Sequence, residues 1–114
     1  MLLKQLVGGA TTGINNQTGT TYTLVKADAG KTIVANNAAA VTVTIPADVF
    51  TVGATVEFVQ YGAGAVSLVG ANGVTLHLPS TLEATTSAQY GTVRIVQVAA
   101  NVWTVSGNLA TAPS

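Results

Sequence analysis

The stretch Thr55–Leu78, TVEFVQYGAGAVSLVGANGVTLHL, decides what kind of fold this chain makes. From Thr55 to Tyr61 it sets Val56, Phe58 and Gln60 on one face and Glu57, Val59 and Tyr61 on the other. Alternation of period two marks a strand. Apolar residues on both faces predict a central strand, or a face covered by another subunit. Tyr61-Gly62-Ala63-Gly64 turns the chain into a second strand, Ala65 to Val69. Asn72-Gly73 is the strongest short hairpin signal in the sequence. In the third strand Val74, Leu76 and Leu78 point inward and Thr75 and His77 outward, until Pro79 stops it. The expectation is three consecutive strands joined by two tight turns, with the rest of the chain pairing with them or packing on them.

On the N-terminal side, Val41-Thr42-Val43-Thr44-Ile45 alternates strictly between apolar residues and threonine and ends at Pro46. Threonine keeps strand preference on an exposed face without adding charge. Tyr22–Val25 and Thr32–Ala35 read as two earlier strands, separated by the turn Ala27-Asp28-Ala29-Gly30. Val49, Phe50 and Val52 are expected to cap one end of the core. Residues 1–21 read as an extended arm: Leu2, Leu3, Leu6 and Val7 form a short apolar group, and Gly8-Gly9 and ATTGINNQTGT follow without periodicity. The bland reading is a disordered terminus. The functional reading is an arm that orders against a neighbour, because solvated tails are usually polar.

On the C-terminal side, Ser80–Gly91 reads as a loop. Thr92–Ala99 is a long strand, Asn101 sits in a tight turn, and Val102–Ser106 is the last strand, with Trp103 and Val105 on its core face. About eight short strands with Gly and Asn turns predict an all-β fold: a single antiparallel β-sandwich, jelly-roll-like or barrel-like, over residues 22–109 with a tail at 110–114. A parallel β-helix is the main competitor, and the lack of a fixed-length repeat argues against it.

The 114 residues suffice for one core. Only 7% of them are charged, against about 25% in an ordinary soluble domain, and the formal net charge is zero. Such a surface does little to keep molecules apart. Lys4, Lys26, Lys31 and Arg94 are scattered and balanced by acids, so no nucleic-acid partner is expected. No apolar run reaches the roughly 20 residues of a spanning helix, so no membrane partner is expected. The opening MLLKQLVGGATTG is too short and broken in its apolar part to read as a signal peptide, which predicts synthesis in the cytoplasm.

No catalytic apparatus is legible, and no enzyme activity, cofactor or metal is expected. His77 is the only histidine and there is no cysteine, so a zinc site lacks ligands. Asp28, Asp48, Glu57 and Glu83 share no motif that would pair an acid with a base. Trp103 falls in an alternating strand and reads as core. Tyr61 and Tyr90 each precede a glycine, which places them near strand ends or at a subunit contact.

The blocks TYTLVKADAGKTIVANN, VTVTIP, VGATVEFVQYGAGAVSL, GVTL and AQYGTVRIVQVAANVWTVSGNL, across residues 20–109, resemble a β-rich module of tailed-bacteriophage virion proteins. That module occurs at the ends of tail and head fibres and in small capsid accessory proteins. The resemblance implies a virion structural protein that forms a homotrimer. With almost nothing before the module, the expectation is a capsid decoration protein that binds the major capsid protein and stabilises the shell by mass action. The alternative is a fibre or spike tip that binds a host surface receptor. Leu2, Leu3, Leu6, Val7, Tyr61 and Tyr90 are the candidate contact residues.

Overall fold

Among the described residues eleven strands follow one another: β1 (Ile14–Gln17), β2 (Thr21–Thr23), β3 (Thr32–Ala35), β4 (Val41–Ile45), β5 (Thr55–Gln60), β6 (Val66–Gly70), β7 (Thr75–His77), β8 (Leu82–Thr86), β9 (Thr92–Ala99), β10 (Val102–Gly107) and β11 (Leu109–Thr111). The computed structural model describes residues 13–113, so Leu2, Leu3, Leu6 and Val7 lie outside the described residues. The strands form two sheets, a six-stranded one in the order β1-β3-β5-β9-β10-β7 and a five-stranded one in the order β11-β8-β6-β4-β2. The all-β expectation holds.

The antiparallel sandwich or jelly roll does not. The first six strands alternate between the sheets, and each of the first four pairs in parallel with the strand two places on: β1 with β3, β3 with β5, β2 with β4, β4 with β6. The chain thus winds as a solenoid of three turns. The winding carries no fixed repeat because its turns differ in length: Thr32 pairs with Ile14 on one side and with Glu57 on the other. The direction then reverses. β8 runs antiparallel to β6, β9 antiparallel to β5, and β10 returns beside β9. β7 pairs in parallel with the far side of β10.

Neither tight turn in Thr55–Leu78 closes a hairpin. Both carry the chain from one sheet to the other, because β5 and β7 belong to the six-stranded sheet and β6 to the five-stranded one. Gly73 has φ of 90°, the left-handed conformation for which the Asn-Gly pair is suited. The same local chemistry serves a solenoid corner as well as a hairpin.

Three further expectations are corrected. Residues 14–17, expected as part of the arm, are a strand, and with Thr21–Thr23, which overlaps the expected strand at Tyr22, they form the first turn of the winding. Leu82–Thr86, expected as loop, is a strand because it pairs with β11 and bonds to β6. Residues 109–111 are an additional strand, with Leu109 buried.

The inward positions of both sheets meet in one apolar cluster. The six-stranded sheet contributes Ile33, Val56, Phe58, Val93, Ile95, Trp103 and Val105, and the five-stranded sheet Val41, Val43, Ile45, Val66 and Leu68. Trp103 is wholly buried, with Phe50 edge-on at 5.4 Å between ring centroids. Phe50 caps this end as expected, whereas Val52 is 60% exposed.

Candidate functional site

The strand ends stack into corners, and one corner carries an aromatic pair. Its layers are residues 36–40, 61–65 and 87–91. Tyr61 N and Gly62 N both donate to Ala35 O, and Gly64 N donates to Asn37 O at 2.9 Å. Asn37 reaches back with Nδ2 to Thr18 O at 2.8 Å, which joins the first turn to the column. Gly62 and Gly64 lie against the backbone of Asn37 and Ala39 so closely that neither site has room for a Cβ. Beneath the corner, buried Gln60 donates through Nε2 to Ala63 O at 3.1 Å. Its Oε1 accepts from Thr86 Oγ1, which in turn accepts from Val66 N at 2.9 Å.

Tyr61 and Tyr90 come together on this column, 5.7 Å between ring centroids and edge to face at 78°. They are 52% and 65% exposed. Tyr90 N donates to Gln60 O at 2.6 Å and Gln89 Nε2 to Tyr61 O at 3.1 Å, so both backbones are held. Tyr90 has φ of 68°. A bulky side chain in that region costs about 1–2 kcal/mol. The two rings thus stand exposed on a backbone that hydrogen bonds hold in place.

The second site lies on the outer face of the six-stranded sheet. Adjacent strands bring Thr32, Glu57 and Arg94 into one row across β3, β5 and β9. With Gly30, Lys31, Thr55 and Val56 they line an open hollow of about 170 Å³. Glu57 Oε1 accepts from Thr32 Oγ1 at 3.3 Å. Lys31 and Arg94 are half of the four basic residues in the whole sequence. They read as scattered along the chain, and the sheet order puts them together. Nothing in the local sequence carries that signal.

The outer face of the five-stranded sheet is the opposite in character. Its outward positions run Thr21, Thr42, Ser67 and Thr85 in one row and Thr23, Thr44 and Val69 in the next. Ser67 and Thr85 share a hydroxyl–hydroxyl bond of 3.1 Å. β2, β4 and β6 contain no charged residue, and β8 contributes only Glu83.

The first turn of the winding closes the core with polar groups. Asn15 and Gln17 sit at inward positions in register with Ile33 and Ala35. Asp28 is almost wholly buried. It accepts from Tyr22 OH at 2.6 Å, Val25 N at 2.9 Å and Asn15 Nδ2 at 2.9 Å. Gln17 Nε2 extends the network to Asn15 Oδ1 at 2.8 Å. Burial, then the bond to Asp28 and its charge, raise the Tyr22 phenol above its usual value. Three bonds to the carboxylate make this a structural plug.

His77 faces outward on the edge strand β7. Asp48 and Asn101, both at positive φ, hold one another: Asp48 N donates to Asn101 Oδ1 and Asn101 Nδ2 to Asp48 Oδ1, each at 2.9 Å. Among the described residues no three of His, Cys, Asp and Glu gather where they could hold a metal ion. No helix among them is long and apolar enough to cross a membrane. Neither the known protein-family models nor the curated proteins give a match to this chain.

Proposed function

We propose that this chain is a structural protein of a bacteriophage virion, a capsid decoration protein that sits on the outer shell as a homotrimer and stabilises it. The observation that carries the proposal is the charge-free face made by β2, β4 and β6 in the five-stranded sheet, Thr21, Thr23, Thr42, Thr44, Ser67 and Val69, with Glu83 of β8 beside it. Covering such a face takes no ion out of water, which is the largest cost of burying ordinary protein surface. Threonine and valine also have few rotamers to lose. Together with the resemblance over residues 20–109, this supports a body built to be covered by neighbours.

Quantitative mass spectrometry of virions tests the role. A decoration protein is present in numbers comparable with the shell protein, and its absence or presence in only a few copies rules this role out. Sedimentation of the isolated chain at micromolar concentration tests the trimer.

One observation favours a second reading. The exposed Tyr61–Tyr90 pair, with Tyr90 in the left-handed region, suits a fibre or spike tip that meets a host surface receptor. A low copy number, with receptor binding lost on replacing either tyrosine, selects this reading.

A further inference from the structure

We propose that the hollow between β3, β5 and β9 is a binding site for a hydroxylated carboxylic acid of the uronic-acid kind. The argument begins with charge. In a chain with four acids and four bases, Lys31, Arg94 and Glu57 line one small depression. Its lining carries a net charge of plus one, so a monoanion is favoured over a neutral or cationic ligand. Arg94 supplies a planar fork of donors suited to a carboxylate, and Lys31 a mobile point charge beside it.

Glu57 decides what the remainder of the ligand must be. A compact doubly charged anion such as sulfate is repelled by its carboxylate. A ligand whose anionic end rests on Arg94 and Lys31, and whose neutral hydroxyls face Glu57, satisfies both signs at once. Thr32 and Thr55 add hydroxyls that donate or accept, and a sugar ring offers such partners in quantity. The hollow, about 170 Å³, is smaller than the roughly 300–1,000 Å³ of a typical cofactor pocket, so it takes one small ring or the end of a chain.

The platform is rigid. Gly30, at φ of 80°, turns the chain tightly at its rim, and Gly30 N donates to Thr55 O at 2.6 Å. Lys31 O accepts from Glu57 N at 3.1 Å, which ties the base of the Lys31 side chain to the strand that carries the acid. Among the described residues no aromatic ring lines the hollow, so affinity is weak for a single site and rises when several copies engage one polymer.

The test is titration of the full-length, isotopically labelled protein with D-glucuronate at fixed ionic strength, followed by amide and side-chain NMR shifts. Glucose, sodium sulfate, acetate and glycine are titrated in parallel. Saturable shifts at Thr32, Glu57 and Arg94 with glucuronate, at least threefold tighter than with acetate and absent with glucose, are expected. Arg94→Gln removes them while the rest of the spectrum stays in place. Acetate or glycine as tight as glucuronate overturns the sugar assignment, and sulfate as tight overturns the role given to Glu57. Shifts that are linear in concentration, or that persist in Arg94→Gln, overturn the site itself. The measurement uses the isolated chain, so its outcome is independent of copy number on a particle.

Discussion

Gly64 lies flat against the carbonyl of Ala39, one turn earlier in the winding, with no space between them for a methyl group. This contact is where the parallel stacking of the two corners is enforced, because backbone meets backbone and no rotamer change relieves an intruding atom. Gly64→Ala is therefore expected to cost about 3 kcal/mol, an overpacking penalty at the upper end of the usual range. Urea denaturation measures it. A change below about 1 kcal/mol shows that the corners separate freely.

Thr86 of β8 joins β5 and β6, consecutive strands that belong to different sheets, through one hydroxyl, which donates to Gln60 Oε1 and accepts from Val66 N. Thr86→Val keeps the volume and leaves both buried partners unsatisfied, for a loss of about 2–4 kcal/mol. Thr86→Ser keeps the hydroxyl and loses about 1 kcal/mol. The ordering Thr, Ser, Val in thermal midpoint is the readout, and equal midpoints for Ser and Val contradict the network.

The Tyr22 phenol has a folded pKa above its unfolded value of 10.0, first from burial and then from Asp28. Between those two values the folded chain holds a proton that the unfolded chain releases. Stability from this group is complete below pH 10 and is lost as pH rises through the folded pKa. Chemical denaturation between pH 8 and about pH 11 should show a decline that Tyr22→Phe reduces. An identical slope in the variant excludes Tyr22 as its source.

Tyr90 trades backbone strain against an edge-to-face contact with Tyr61. Tyr90→Gly relieves about 1–2 kcal/mol of strain and gives up about 0.5–1.5 kcal/mol of ring contact. Its thermal midpoint should stay within a few degrees of the parent. Binding of the variant to particles or to host cells then isolates the role of the ring. A large drop in stability instead identifies the pair as structural.

Thr42 occupies the middle of the charge-free face and is exposed. Thr42→Lys leaves the subunit folded, since an exposed lysine needs no partner. It places one ammonium per subunit on the proposed contact. The expected result in sedimentation is a shift from trimer to monomer with an unchanged circular dichroism spectrum. A trimer of undiminished affinity moves the contact to another surface.

The best-formed strands are legible because their alternation is imposed locally by a core on one side. Val41–Ile45 buries Val41, Val43 and Ile45 as its pattern requires, and Thr92–Ala99 buries Val93, Ile95 and Gln97. Val56, Phe58 and Gln60 are likewise inward on a central strand. What stays hidden is partner choice. Parallel neighbours in a winding are set by corner length, and unequal corners leave no period to detect. Ile14–Gln17 reads as arm because its inward residues, Asn15 and Gln17, are polar, and they are polar because they seal the end of the core. Leu82–Thr86 has weak alternation and becomes a strand through β6 and β11. For the sites, Tyr61 and Tyr90 carry a local hint in their following glycines, whereas Lys31, Glu57 and Arg94 meet only through the order β3-β5-β9.

The reversal of chain direction after the third turn has a consequence for how such a module changes length. Strands upstream of it share one direction and one set of corners, so a duplicated turn slipped between β4 and β5 would find matching ladders above and below. Beyond β6 the pairings are antiparallel except that of β7 with β10, and a copy inserted there would meet mismatched hydrogen-bonding edges. Growth by duplication is therefore confined to the first half of the chain, and the second half acts as a fixed stopper.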